Sequence, residues 1–326
     1  MYFLLIPHKL IPDILIFNLL LVAIMTSVQP SDLPVIQLQF PPKWEQYELI
    51  DSGNGLKLER YGDHVLIRPE PEAIWKPALP SMQWQAAHAT FTPGKGEEFG
   101  SWNFHKPISD RWEMNFKDLR FWLQLSKSRH IGVFPEQASQ WDFINNQIYE
   151  SKHALKILNL FGYTGIASLS AAQAGAHVTH VDASQKAIHW ARENQILSGL
   201  GKKPIRWIVD DALKFVRREL RRNNLYDGII LDPPKFGRGP KGEVWEFYKL
   251  LPDLLDACIQ VLSENPSFLL LTAYAVKASA ITLFEVLNEK LCKFPGRVII
   301  GELVIKSNAG GQLLSRAIYA AWLKNQ

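Results

Sequence analysis

The chain has 326 residues, of which 47% are hydrophobic and 21% charged, which is the composition of a globular protein with a sizeable core. The formal net charge of +4 permits an anionic partner without requiring one. The two cysteines, Cys258 and Cys292, exclude a disulfide framework, and no Cys/His cluster has the spacing of zinc ligands. We therefore expect a cytoplasmic protein without a metal site.

The amino-terminal thirty residues do not fit this description. Ile14–Met25 is apolar enough for the core of a signal peptide, but it is shorter than the roughly 20 residues that span a membrane. No cation precedes Lys9, and the residues after Met25 form a poor cleavage site. We expect residues 1–30 to be a leader, or an extension upstream of the true start at Met25, and to lie outside the fold.

From Gln39 to Thr92 apolar and polar residues alternate between turn signals, which predicts a small β-rich domain over residues 31–105. Seven of the eleven tryptophans lie at or before Trp141. Two roles are open for tryptophans in this region, stacking on nucleic-acid bases and filling the core of the β domain, of which the second is commoner. The tryptophans concerned are Trp44, Trp75, Trp84 and Trp102.

From Lys156 onward, near-continuous apolar strands alternate with helices, which predicts a parallel, doubly wound sheet. The predicted helices include one that Ser184 caps and one over Val244–Leu262. Two adjacent strand candidates, Gly296–Ile305 and Leu314–Leu323, predict an antiparallel hairpin at one edge. We thus expect an α/β fold in which a Rossmann-like, seven-stranded sheet over residues 106–326 follows the β-rich domain.

Three successive predicted strands end in acidic residues: Asp182, Asp211 next to Asp210, and Asp232. Ligands of such sheets bind beyond the carboxyl ends of the strands, and helix capping alone explains three aspartates poorly. Asp182 lies 17 positions after Gly165, where an acidic residue accepts hydrogen bonds from ribose hydroxyls. Asp211 is placed to accept from an adenine amino group, so the pattern indicates a nucleoside.

The turn before these aspartates discriminates between two nucleoside cofactors. NAD requires a G-x-G-x-x-G turn for its pyrophosphate, whereas Phe161–Gly165 has bulky residues where that pattern has glycine. S-adenosylmethionine carries no phosphate and tolerates a less open turn. The sequence therefore favours S-adenosylmethionine, with NAD as the alternative.

Five segments together resemble one known family: GVFPEQ (132–137), LNLFGYTG (158–165), VDAS (181–184), VDDAL (209–213) and LDPPKF (231–236). From Arg129 to Leu323 the chain resembles the class I S-adenosylmethionine-dependent methyltransferases, in particular the group related to bacterial 23S rRNA large-subunit methyltransferases. The resemblance implies a Rossmann-like catalytic domain and the following cofactor-binding residues: Gln137, Phe161, Gly162, Tyr163, Thr164, Gly165, Asp182, Ser184, Asp211 and Asp232.

The Asp-Pro-Pro turn is the predicted catalytic segment, comprising Asp232, Pro233, Pro234 and Lys235. In related enzymes that methylate exocyclic amines, a similar turn lies beside the methyl group, and its carboxylate and a proline carbonyl accept the protons of the amine. An aromatic residue normally follows the second proline, but here Lys235 intervenes before Phe236. The alternative is a rigid turn without a chemical role.

Relatives that methylate carbon 5 of cytosine need a cysteine after the fifth strand, because a thiolate attacks the ring first. This chain has Tyr274 and Ala275 there, and neither cysteine is suitably placed. We therefore expect direct methyl transfer to a nitrogen or oxygen.

A glycine-rich loop with three cations, Lys235, Arg238 and Lys241, follows the predicted catalytic turn and suits a phosphate backbone. Together with the family resemblance, it indicates an RNA substrate, with ribosomal RNA as one candidate. Two alternatives are a small-molecule or protein methyltransferase and a non-catalytic module that binds S-adenosylmethionine or a nucleotide.

Overall fold

The computed structural model describes residues 33–94 and 99–325, so the predicted leader lies outside the described residues. The strands are β1 (Ile36–Gln39), β2 (Tyr47–Gly53), β3 (Leu56–Tyr61), β4 (His64–Pro69), β5 (Ala89–Pro93), β6 (Gly100–Phe104), β7 (Arg111–Phe116), β8 (Leu119–Gln124), β9 (Lys156–Leu160), β10 (His177–Asp182), β11 (Ile205–Val209), β12 (Gly228–Leu231), β13 (Phe236–Arg238), β14 (Val244–Glu246), β15 (Phe268–Ala273), β16 (Gly296–Lys306) and β17 (Leu313–Lys324). The helices are α1 (Ser81–Gln85), α2 (Ala138–Tyr149), α3 (Ile166–Gln173), α4 (Gln185–Leu197), α5 (Ala212–Arg221), α6 (Phe247–Gln260) and α7 (Ala280–Leu291). None of these helices is long and apolar enough to cross a membrane.

Eight strands form the large sheet, in the order β1-β16-β17-β15-β12-β9-β10-β11. Strands β9, β10, β11, β12 and β15 pair in parallel, whereas β17 is antiparallel to both β15 and β16. The predicted wound sheet and its carboxy-terminal hairpin are therefore confirmed. The eighth strand, β1, pairs in parallel with β16 and was not predicted, although its sequence IQLQ alternates apolar and polar residues.

The central strands are apolar because both faces of the sheet are covered. Every residue of β12, with the sequence GIIL, and of β15, with the sequence FLLLTA, is buried. Residues from β9, β12, β15, α5, α6 and α7 share one hydrophobic cluster. The continuous apolar runs that predicted parallel strands thus reflect burial on both faces.

Helix boundaries follow local hydrogen bonds. The Ser184 hydroxyl accepts the backbone N–H of Ala187 at 3.2 Å, which confirms Ser184 as the amino-terminal cap of α4. The helix predicted over Val244–Leu262 begins instead at Phe247, because Val244–Glu246 pairs antiparallel with Phe236–Arg238.

The amino-terminal region contains the five-stranded sheet β2-β3-β4-β5-β6 and the hairpin β7–β8. Its strands continue to Gln124, and Ile36–Gln326 forms one compact unit, so the domain boundary at residue 105 stays a prediction. The Trp44 ring packs edge-on against Phe116 and Trp141, at centroid distances of 5.0 and 6.1 Å. Trp44 and Trp84 are buried in the core, in agreement with the commoner of the two roles.

Candidate active site

The order of the large sheet reverses between β9 and β12, and ligands of wound sheets bind beyond the carboxyl ends of the strands at this point. Leu160, the last residue of β9, pairs with Leu231 on β12 and with Val181 on β10. The next residues along these two strands, Asp232 and Asp182, therefore flank the turn that follows β9.

The turn after β9 has an unusual backbone. Phe161, Tyr163 and Gly165 have φ angles of 59°, 52° and 83°, in the left-handed region. For the two aromatic residues this conformation costs on the order of 1–3 kcal/mol each, and such strain is concentrated at functional sites. Gly162 has no space for a side chain, since a Cβ would lie 2.3 Å from the His180 ring. The sequence FGYTG therefore fixes the shape of this edge of the sheet.

Asp182 is held against this turn by its own carboxylate. Its two oxygens accept the backbone N–H groups of Tyr163 and Ser184, at 2.9 and 2.8 Å. Burial raises the pKa of Asp182, and these two hydrogen bonds oppose the shift without reversing it. Each carboxylate oxygen retains a lone pair, so Asp182 can also accept hydrogen bonds from two ligand hydroxyls.

Asp232 faces the turn from the other side. One carboxylate oxygen accepts the side-chain N–H of Gln137 at 2.7 Å. The pKa of Asp232 is raised to about 7, chiefly by burial and also by the nearby Glu136 and Asp182, while the Gln137 hydrogen bond opposes the shift. Asp232 is therefore a carboxyl group whose protonation changes near neutral pH, which suits a group that accepts a proton in a reaction.

The two prolines differ in their surroundings. Pro233 is buried, whereas Pro234 is exposed and its carbonyl accepts the indole N–H of Trp245 at 2.6 Å. The side chain of Lys235 is exposed, and its carbonyl accepts the backbone N–H of Phe247 at 3.0 Å. Among the described residues no donor is hydrogen-bonded to the Pro233 carbonyl.

Several predicted site residues lie around one cavity at this edge of the sheet. Asp182 does not line the cavity itself, but it accepts a hydrogen bond from Tyr163, which does. The other predicted site residues that do not line it are Gly165, Ser184, Asp211, Pro233, Pro234 and Lys235. The predicted residues that line the cavity are Gln137, Phe161, Gly162, Tyr163, Thr164 and Asp232.

Three residues of the predicted site also have structural roles in the fold. Asp211 caps α5 by accepting the backbone N–H of Lys214 at 2.9 Å. The Thr164 hydroxyl is buried and donates to the carbonyl of Gly132 at 2.7 Å. A Cβ on Gly165 would lie 2.8 Å from that of Ala191, so this glycine permits close packing of α3 and α4. Their roles in cofactor binding stay predictions.

Tyr274 is a further neighbour of the site. Its position after β15 falls in the segment where the cytosine C5 methyltransferases have their cysteine. It follows β15, and its ring lies 5.3 Å from that of Phe134, which in turn lies 5.8 Å from the ring of Tyr163. Its hydroxyl is buried without a hydrogen-bond partner among the described residues. Burial, then the carboxylates of Glu136 and Asp232, raise the pKa of Tyr274. The signal in the sequence that could have identified Tyr274 as a site residue is its position directly after a buried strand.

Neither cysteine is near these groups. Cys258 is buried within α6, and burial raises the pKa of its thiol. Cys292 is exposed at the end of α7, which connects the parallel strands β15 and β16. A helix between parallel strands runs back toward their amino ends, so Cys292 lies at the opposite edge of the sheet from Asp232.

Buried charges surround the segment that precedes Gln137. Arg316 on β17 forms an ion pair with Glu70 and lies 3.9 Å from Glu136. Glu70 also pairs with Lys57 at 3.4 Å, and the side chains of both are at most 7% exposed. These residues come from four separate segments of the chain, so no local sequence pattern could have revealed the cluster. In the described part of the chain, no group of acidic, histidine or cysteine side chains is arranged to hold a metal ion.

A family model described as S-adenosylmethionine-dependent methyltransferase matches residues 89–298. The chain belongs to this family. The predicted cofactor, S-adenosylmethionine, and the predicted enzyme class are thereby confirmed, and NAD is not the cofactor.

The enzyme is similar to proteins of known structure and to curated bacterial proteins. The crystal structure of an S-adenosylmethionine-dependent methyltransferase from Agrobacterium tumefaciens is 45% identical, with a TM-score of 0.86, and the match covers 89% of this chain and 94% of that chain. A methyltransferase complexed with SAH has a TM-score of 0.63 at 18% identity, with 82% of this chain and 72% of that chain covered. The ribosomal RNA large subunit methyltransferase K/L of Shewanella sp. (strain MR-4) is 28% identical over 250 residues, which are 68% of this chain and 34% of that protein. The chain thus spans about a third of the length of these curated relatives.

The residues at the switch point fit S-adenosylmethionine. The Asp182 carboxylate retains acceptor capacity beside the turn, and the nearby cavity is lined by aromatic, aliphatic and polar side chains, Asp232 among them. A lining that combines apolar surface with placed polar groups is typical of sites for small organic ligands.

Proposed function

We propose that this enzyme methylates RNA by direct transfer to a nitrogen or oxygen atom, without a covalent cysteine intermediate. The single observation that carries the mechanism is the Asp232 carboxyl group, held by Gln137 at the switch point with an oxygen left for a substrate. The positions of Cys258 and Cys292, away from this carboxyl group, support a mechanism without a thiolate.

The residues act by positioning and by accepting a proton. S-adenosylmethionine, when bound, supplies a methyl group that its positive sulfur activates. Asp232 and the Pro233 carbonyl accept hydrogen bonds from the acceptor group and thereby orient its lone pair. The oriented lone pair would take the methyl group, and the electron pair of the broken methyl–sulfur bond would stay on sulfur. The proton released by the acceptor passes to Asp232 and then to solvent.

Two observations support RNA as the substrate. The curated relatives are named as ribosomal RNA methyltransferases. In this chain the catalytic turn is followed by three exposed cationic side chains: Lys235, Arg238 and Lys241. A polyanion gains most of its non-specific affinity from such cations. Within RNA, ribosomal RNA is the first candidate, and the cytoplasmic location stays a prediction.

Methyl transfer to defined fractions tests this function. The enzyme is incubated with S-adenosylmethionine labelled in its methyl group and, separately, with total RNA, protein and small molecules from a strain that lacks the gene. We expect label in RNA. Label confined to protein or to small molecules would instead establish one of the alternative substrate classes.

Asp232→Asn tests the mechanism. We expect turnover to fall by about 100-fold or more, the usual contribution of a general base, because an amide cannot accept the proton. Cofactor affinity, measured by calorimetry, should change little. Asp253→Asn, at an exposed position of α6, is the matched control and should behave as the unaltered enzyme. An unchanged rate for Asp232→Asn would mean that the Asp-Pro-Pro segment is a rigid turn without a chemical role.

A further inference from the structure

The segment after the catalytic turn forms a short β-hairpin with two different faces. Phe236 pairs with Glu246, and Arg238 with Val244, so these four side chains share one face. Phe236 is 54% exposed and Val244 43% exposed. We call these four residues the hairpin face. The opposite face carries Trp245, which is only 4% exposed.

The hairpin is fixed to the active site by its buried side. The Trp245 indole N–H donates to the Pro234 carbonyl at 2.6 Å, and its ring lies 5.0 Å from that of Phe161 in the cofactor turn. At the other end, the Glu243 carboxylate accepts the backbone N–H of Lys241 at 2.8 Å and pairs with Lys214 at 2.6 Å. The hairpin is therefore held in place against the Asp-Pro-Pro turn and Phe161.

Charge on this hairpin favours an anionic partner. Lys235, Arg238 and Lys241 have no ion-pair partner within 4.0 Å in the described part of the chain. Glu243 is neutralised by Lys214, so Glu246 is the acid that opposes these three cations. An exposed phenylalanine among unpaired cations combines a flat apolar surface with positive charge. Unpaired nucleic acid offers the matching chemistry, because its bases expose π-faces between phosphates.

We propose that the hairpin face binds an unpaired segment of the RNA substrate, with Phe236 stacked on a base and Arg238 on a phosphate, while Lys235 and Lys241 at the ends of the hairpin contact neighbouring phosphates. This proposal rests on the proposed function, since it concerns the same substrate. A duplex hides the faces of its bases, whereas a methyltransferase must reach its target base outside the stack. The hairpin thus holds the strand next to the residue that enters the site.

Binding of defined oligonucleotides tests the stacking role of Phe236. The probes are a fluorescein-labelled 16-nucleotide RNA of mixed sequence and the same RNA annealed to its complement, titrated with the full chain in the presence of S-adenosylhomocysteine. Phe236→Ala should weaken binding of the single strand by about 5- to 150-fold, the range of one base–aromatic stack, and Phe236→Tyr should restore it. Ile281→Ala, which removes another exposed apolar side chain on α7, is the control and should bind as the unaltered chain.

The cations are tested through the salt dependence of the same binding. Arg238→Gln and Lys241→Gln should each reduce the slope of log affinity against log salt by about 0.7, the value for one phosphate contact on a single strand. Equal affinity for single strand and duplex, or unchanged binding by Phe236→Ala and both glutamine variants, would overturn the proposal.

Methyl transfer separates failure of this proposal from failure of the proposed function. If the unaltered enzyme labels no RNA at all, the proposed function fails and the hairpin proposal fails with it. If it labels RNA and Phe236→Ala labels RNA with the same KM, the hairpin proposal alone fails. We expect Phe236→Ala to raise KM for RNA at unchanged affinity for S-adenosylmethionine in calorimetry.

Discussion

Gln137 and Asp232 form the pair of residues on which the chemistry depends most directly. The amide donates to the carboxylate at 2.7 Å and lowers the pKa of Asp232, but burial and nearby carboxylates outweigh this bond and hold the pKa at about 7. An acceptor carboxylate must be ionised, so activity should fall as the pH falls below this pKa. Gln137 therefore extends the active range toward lower pH, because it stabilises the ionised form.

Gln137→Met removes the donor while keeping the length of the side chain. Without the hydrogen bond the pKa of Asp232 rises, so the acid limb of kcat/KM against pH should move to higher pH. The loss of activity should be large at pH 6 and small at pH 9. Profiles of the unaltered enzyme and the variant measure this shift directly.

Gln260→Met, at an exposed position of α6, serves as the control for the methionine itself. A purely structural role of Gln137 would lower kcat/KM by the same factor at every pH, and this outcome would contradict the assignment. Comparison across pH is therefore more informative than a single rate, since a damaged fold also lowers the rate.

Elements at the edge of the sheet could be predicted where residues adjacent in the sequence determine them. The cap at Ser184 and the strand ends at Asp182 and Asp232 follow from residue type and period, and the structure has them as expected. The hairpin Phe236–Glu246 was predicted only as a loop and part of a helix. Its second strand depends on the tertiary contact between Trp245 and Pro234, which no local pattern contains.

The turn Phe161–Gly165 depends on close packing between Gly162 and a neighbouring strand, which leads to a testable prediction. A Cβ on Gly162 would lie 2.3 Å from the ring of His180, which is fully buried and cannot move aside. Gly162→Ala should therefore displace the turn, reduce the free energy of unfolding by about 1–3 kcal/mol, as overpacking does, and weaken S-adenosylmethionine binding. Thermal unfolding and calorimetry measure the two effects.

Gly201→Ala is the matched control, because a Cβ there meets nothing within 4 Å. The double variant Gly162→Ala/His180→Ala should lose less stability than the sum of the two single variants, since the second change makes room for the first. Additive losses would show that the steric contact between Gly162 and His180 does not determine the shape of the turn.

The whole molecule joins its β-rich region to the wound sheet through buried charges. The composition and the spacing of apolar residues predicted both regions. They did not predict the contacts between them, because the residues involved are far apart in the sequence: Lys57, Glu70, Glu136 and Arg316. Isolated charged residues within strands usually indicate a solvated face. The alternation of apolar and polar residues identifies a buried apolar face. It gives no indication that these charged residues are buried as well.

Arg316 is the residue through which these two regions and the active site are connected. It contacts Glu70 at the end of β4 and lies 3.9 Å from Glu136, which directly precedes Gln137. Arg316→Met leaves buried carboxylates without their cation, and loss of one partner of a buried pair typically costs about 3–5 kcal/mol. We expect a lower free energy of unfolding in urea and a single, earlier transition, because both regions depend on the same contact.

A substitution that keeps the charge distinguishes unpaired charge from lost packing. Arg316→Lys keeps a positive charge beside the buried carboxylates of Glu70 and Glu136, so it should recover part of the stability that Arg316→Met loses. Arg297→Met, at an exposed position of β16, should leave stability unchanged. Equal losses for Arg316→Lys and Arg316→Met would mean that the packing of the guanidinium, and not its charge, holds the β-rich region to the sheet.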